Sequence, residues 1–181
     1  MGKIRSELDD AARQFIEAQR IFFVASAPLD AGGHVNLSPK GLDTFRILGP
    51  TTVAYVDFNG SGVETVAHVK ENGRTVLMFC AFQGPPNIFR LYGHGRVVEP
   101  HEAEFAALAG SFPTCENVRS IVVVELSRIK DSCGYGVPLF KYEGEREQLH
   151  AWARNRGPER LKAYRGEKNR RSIDGLPGVV G

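Results

Sequence analysis

The chain has 181 residues, 42% of them hydrophobic and 24% charged, which excludes a disordered, collagen-like or coiled-coil protein. A chain of this length buries roughly 70% of its unfolded surface, enough for one domain, or a domain with an added terminal segment, without a disulfide or metal staple. The net charge of +2 gives no reason to expect nucleic acid as the partner.

No run reaches the ~18 apolar residues of a membrane helix, and the charged N-terminus has no apolar stretch behind it, so neither membrane span nor signal peptide is expected. Cys80, Cys115 and Cys133 are odd in number and widely separated. They match no zinc spacing and no disulfide framework, which points to a reducing, cytoplasmic setting. The charge is unevenly placed: residues 141–181 carry ten basic and six acidic side chains, the first 140 thirteen and fifteen. In the C-terminal part the two signs alternate, as on a solvated helix face.

Apolar spacing predicts an amphipathic helix over Ser6 to Gln19, with Leu8, Ala11, Ala12, Phe15 and Ile16 on one face and Ser6 and Asp9 as its cap. A β-type run over residues 21–27 ends at Pro28, and His34 to Leu37 returns as its hairpin partner. Further strands are expected at 44–48, 51–58, 74–81 and 88–98. The longest β run lies over Arg119 to Ile129, around Ile121-Val122-Val123-Val124. Helices are expected at 102–108, 145–154 and 158–164. About six strands, mostly consecutive, do not make the strand–helix alternation of a parallel sheet. They fit a mainly β fold with flanking helices, closed as an antiparallel barrel because closure removes edges. The division expected is a barrel over 1–140 and a C-terminal helical segment and tail over 141–181.

Three segments carry candidate chemistry. In Thr51 to His68 a strand enters a glycine-bearing turn and then a helix. Ser61 and Glu64 have capping-box spacing; alternatively, Gly60 and Gly62 let an anionic ligand approach the amides of the helix start. In Asn36 to Asp43, Ser38 offers a hydroxyl, Lys40 a cation suited to phosphate and Gly41 a close backbone; the other reading is a solvated polar loop. In Asp131 to Pro138, alternating glycines could present Cys133 and Tyr135 to a planar ligand or simply shape a loop. The five histidines lack paired spacing, so no metal site is expected. Nucleotide-loop and acyl-transfer motifs are absent, and aromatics do not interleave with basic residues as on a nucleic-acid platform.

Together these segments resemble the pyridoxamine 5′-phosphate oxidase-like group of FMN-binding split-barrel proteins. More narrowly, they resemble a branch carrying Asn-Leu-Ser-Pro-Lys-Gly, Gly-Ser-Gly-x-Glu-Thr, Met-Phe-Cys-Ala-Phe, Ser-Cys-Gly-Tyr-Gly-Val-Pro and Ser-Ile-Asp-Gly-Leu-Pro. These stand at residues 36–41, 60–65, 78–82, 132–138 and 172–177. The resemblance implies a six-stranded antiparallel split β-barrel, a homodimer with FMN in the groove between subunits, and an FMN-dependent oxidoreductase acting on an unidentified small molecule. It implies that Asn36, Ser38, Pro39, Lys40 and Gly41 lie along the flavin ring and phosphate chain. Tyr55, Val56 and Asp57 follow at the end of the next strand, then the phosphate-side turn at Ser61 and Gly62. Cys133 and Tyr135 are the candidates for proton transfer or substrate contact, with Asn169 and Ser172 of the tail able to approach. The chain departs from the pattern at Glu64 and Thr65, where the oxidases carry a basic pair, and it lacks their C-terminal Arg-x-His-x-Arg signature. Two other readings stay open: a flavin-binding or redox-sensing module without turnover, and a split barrel that binds haem, a deazaflavin or no cofactor.

Overall fold

The computed structural model describes residues 2–113 and 117–180. The expectation for Cys115 lies outside them, while Cys80 is a buried and Cys133 an exposed free thiol. In chain order the elements are β1 (Ile4–Arg5), α1 (Asp10–Glu17), β2 (Phe22–Ser26), β3 (Asn36–Lys40), β4 (Phe45–Ile47) and β5 (Thr52–Phe58). They continue with α2 (Glu64–Asn72), β6 (Arg74–Cys80), β7 (Ile88–Val98), α3 (Phe105–Ala109), β8 (Val118–Ser132) and α4 (Gln148–Lys168). Eight strands stand among the described residues where six were expected. β4 falls within the run expected at 44–48; the strand that was not expected is β1, two residues long and too short to show the alternation that identifies a strand.

The strands form one antiparallel sheet in the order β3-β2-β6-β7-β8-β5-β4, with β1 beside β8. The edges β3 and β4 are consecutive in the chain and curl toward each other without hydrogen-bonding, which leaves the barrel split. Aromatic rings fill the inside of that seam: Phe22 lies 5.4 Å from Phe45, 5.7 Å from Tyr55 and 5.4 Å from Phe79. Pro39, which cannot donate to a ladder, sits on an edge strand, where this costs least. Between the two edges, Leu42 and Asp43 both take positive φ, 60° and 53°, an unfavourable conformation for a leucine.

The uninterrupted apolar run in β8 follows from burial on both faces. Val122 and Val124 face the barrel core with Val24, Leu77 and Leu91, and α1 plugs that core with Ala12 and Ile16, joined by Leu8 just before its cap. Ile121 and Val123 face a second core with Ala54, Val56, Ala109 and Phe112. A third cluster joins Val63, just before α2, and Val66 of α2 to Val179 of the tail.

Two helix starts differ from expectation. Asp9, not Ser6, caps α1, its carboxylate accepting from the Ala12 amide at 2.9 Å. Helix α2 begins behind Val63 with no side-chain cap, so the Ser61–Glu64 capping box does not form. Helix α4 is broken at Gly157, φ 69°, just before Pro158. The two helical pieces read from the sequence therefore meet at that kink.

Candidate functional site

The alternation of β3 turns Asn36, Ser38 and Lys40 toward the seam and leaves Leu37 62% exposed on the other face. Lys40 Nζ crosses the seam and donates to Asp57 Oδ1 of β5 at 2.8 Å. Arg119 of β8 grips the other oxygen of Asp57 through Nε at 2.8 Å and Nη2 at 2.7 Å. Burial pushes the Asp57 carboxyl up, but the Lys40 and Arg119 charges and their hydrogen bonds outweigh it and hold it below the ordinary carboxylate range. The carboxylate is therefore ionised, and the three groups together carry one net positive charge at the base of the seam.

The same arginine shapes the turn that follows β5. Arg119 Nη1 donates to the Gly62 carbonyl at 2.7 Å and the Gly60 carbonyl at 3.4 Å, and Asn169 Nδ2 donates to Gly60 at 2.9 Å. With these carbonyls occupied from one side, the amides of Ser61, Gly62, Glu64 and Thr65 have no acceptor among the described residues. Ser61 and Gly62 are exposed. Such open amides at the start of a nine-residue helix favour an anion.

Polar side chains join the turn to β3. Asn36 Nδ2 donates to Thr65 Oγ1 at 2.8 Å and to Ser38 Oγ at 3.1 Å. Glu64 is the one acidic group at the helix start; its Oε1 accepts weakly from the Ile173 amide of the tail at 3.4 Å. The tail is tied down on the far side too, where Asp174 accepts from the His34 amide at 2.8 Å and meets its Nδ1 at 2.6 Å. Those bonds hold the Asp174 carboxyl below its ordinary pKa.

Asn36, Ser38, Lys40, Asp57 and Thr65 thus converge, with Ser61, Gly62 and Glu64 along one side. Tyr55 is fully buried beneath Lys40, its ring centroid 5.9 Å from Nζ and its hydroxyl unpartnered. Burial pushes that phenol far above its usual pKa, so it stays protonated. Val56 faces the second core, away from the seam. Pro39 and Gly41 flank Lys40 and line a cleft of about 1180 Å³ beside the seam. Cys133 and Tyr135 are exposed, Tyr135 by 83%, and neither lines that cleft nor bonds to a seam residue.

Sequence reasoning missed Arg119, yet a signal was present. A cation opening a long apolar β run must be buried, and a buried cation needs an anion. It also missed His68, fully buried on α2, whose Nδ1 lies 3.0 Å from Ser26 Oγ while Nε2 has no partner. Among the described residues no cluster of His, Cys, Asp and Glu could hold a metal ion, and no helix is long and apolar enough to cross a membrane.

The donors fit the polar tail of a phosphate-bearing cofactor: one net cation, the Ser38, Ser61 and Thr65 hydroxyls, and open amides, opposed only by Glu64. A family model described as pyridoxamine 5′-phosphate oxidase matches residues 8–131. The pyridoxamine 5′-phosphate oxidase family protein ustO of Aspergillus flavus is 38% identical, across 95% of this chain and 76% of its own. Among solved structures, HupZ of Group A Streptococcus superposes with a TM-score of 0.53 at 19% identity, covering 67% of this chain and 91% of that one. The FAD binding protein of Mycobacterium smegmatis gives 0.50 at 12% identity, covering 71% and 97%. Both share the fold.

Proposed function

The chain belongs to the pyridoxamine 5′-phosphate oxidase family, and from that premise we propose that it is a cytoplasmic FMN-dependent oxidoreductase working as a homodimer. The observation that carries the reading is the convergence of β3 and the start of α2 on one seam, where Lys40, Asn36, Ser38 and Thr65 stand beside unfilled amides. Those side chains and the Ser61–Gly62 backbone would hold the cofactor. When bound, FMN supplies hydride and electron transfer.

The chain's own residues do the rest. Asp57 fixes Lys40 at the seam, so a cation is in place before any ligand arrives and its positioning costs no further ordering. Arg119 and Asn169 occupy the carbonyls of the turn, which leaves its amides free to donate. Tyr55 keeps its proton and closes the seam from below. The dimer reading is supported by apolar side chains that one chain leaves uncovered: Leu37 on the edge strand β3 and Leu139 are 62% and 75% exposed.

The test is an absorbance and fluorescence spectrum of the purified protein before and after FMN is added. The expected result is a bound-flavin spectrum at about one per chain, followed by bleaching with a reduced nicotinamide donor. A colourless protein that ignores FMN overturns the cofactor assignment. A flavin that binds but resists every donor and acceptor favours a module without turnover.

A further inference from the structure

The cleft of about 1180 Å³ next to Gly41 lies between the start of β2, the end of β3, the β6–β7 connection and residues 140–149. It is larger than the roughly 300–1,000 Å³ of most small-molecule sites. Its charge is one-sided. Arg20, Lys40, Lys141 and Arg146 line it; Lys40 is held by Asp57, and the other three form no salt bridge among the described residues. Glu145 is the only carboxylate on the described wall, and its Oε1 already accepts from the Tyr142 hydroxyl at 2.8 Å.

The apolar part of the wall is aromatic. Phe82 and Phe140 stand 5.3 Å apart at 37°, and the Phe140 amide is tied to the Phe82 carbonyl at 2.9 Å. Phe23 lies on the barrel side. Arg20 is stacked over Tyr142, 5.4 Å from the ring centroid, which leaves its N–H edge free. Three cations outside any salt bridge attract an anion, and flat rings favour a flat ligand. A ligand with an amine would face these cations and find a single carboxylate, Glu145, with one oxygen already accepting from Tyr142.

We propose that this cleft binds a planar aromatic anion without a basic nitrogen, with Arg20, Lys141 and Arg146 on its anionic group and Phe23, Phe82 and Phe140 around its rings. Binding as such does not depend on the flavin. Its role as the substrate pocket rests on the function proposed above.

Titration calorimetry with four naphthalene probes tests it: 2-naphthoate, 1-naphthyl phosphate, 2-naphthylmethanol and 2-naphthylmethylamine. At least one anion is expected to bind about tenfold tighter than the alcohol, and the amine weakest. Arg146→Met, at an exposed position, should weaken the anion about tenfold and leave the alcohol unchanged, and Arg20→Met should do the same. Which anion wins identifies carboxylate or phosphate as the group recognised. Equal affinities for all four probes, no binding, or anion affinity unchanged in both variants overturns the proposal. A colourless protein that still binds the anion removes the flavin reading and keeps the cleft. A flavin-loaded protein that ignores the anion does the reverse. Anion binding without any change in the flavin spectrum overturns the substrate role.

Discussion

Lys40 Nζ and Asp57 Oδ1 meet at 2.8 Å across the opening where the barrel's two edge strands fail to pair, and Asp57 is shared with Arg119 on the inner side. The two cations differ in how far they are removed from water, 21% exposure for the Lys40 side chain and 5% for Arg119. Removing the shared anion strands Arg119, whereas removing Lys40 leaves the Asp57–Arg119 pair intact. Asp57→Asn is expected to cost about 3–5 kcal/mol, the penalty of an uncompensated buried charge. Lys40→Met should cost clearly less. Urea denaturation of both variants checks the order, and a larger loss for Lys40→Met contradicts it.

Stability should fall in two stages as the pH is lowered. Burial lowers the pKa of His68, the nearby Asp174, Glu71 and Glu64 charges only partly opposing it. The folded protein therefore keeps a neutral imidazole where the unfolded chain takes up a proton. The stabilisation is complete above the unfolded value of about 6.5 and declines as pH falls toward the lower folded value. Asp57, also depressed when folded, contributes above its unfolded value of about 3.9, and that contribution is lost as pH falls through the folded value. Urea midpoints between pH 8 and 5 check the first stage. His68→Gln should flatten that slope, and an unchanged slope would remove His68 as its source.

Glu64 is the acidic group at the start of α2, so it should weaken binding of a phosphate there. Glu64→Gln is expected to tighten FMN about threefold, the scale of a helix-terminus charge, and to leave riboflavin, which has no phosphate, unchanged. Lys40→Glu should abolish retention of FMN. Fluorescence quenching titrations of both flavins give the comparison, and equal effects on the two would place Glu64 away from the phosphate.

The tail should act on the turn through Gly178. A Cβ there would collide with the Asn169 carbonyl and come within 2.9 Å of Val63 Cγ2. Gly178→Val should lift residues 169–180 off α2 and free the Asn169 bond to Gly60. Faster C-terminal proteolysis with weaker FMN binding is the expected pair of results. Rapid proteolysis with unchanged FMN binding would show that the turn keeps its shape without the tail.

Much of the architecture was legible because burial imposes local periodicity. The run Ile121 to Val124 marked a strand covered on both faces, and Ala12 and Ile16 marked one face of α1. Short motifs singled out Ser38, Lys40 and the Ser61–Gly62 turn as candidates, and the structure joins β3 to the start of α2 through Asn36 and Thr65. Cap positions were less legible, since Ser6 and Asp9, or Ser61 and Val63, differ only in which backbone the chain turns at that point.

The sequence by itself determined the strand-rich class, the main helices and the family, since side-chain period and ordered motifs are properties of neighbours along the chain. Only the tertiary structure decided what Lys40 does. Its partner Asp57 stands 17 residues on, and Arg119 is separated from Asp57 by 62. Curling the sheet brings these residues together, and an ion pair depends on distance in space, which local pattern does not encode. The cleft is of the same kind: Arg20, Phe82 and Arg146 come from three distant segments, and their shared charge exists only once the sheet and the following segment pack against one another.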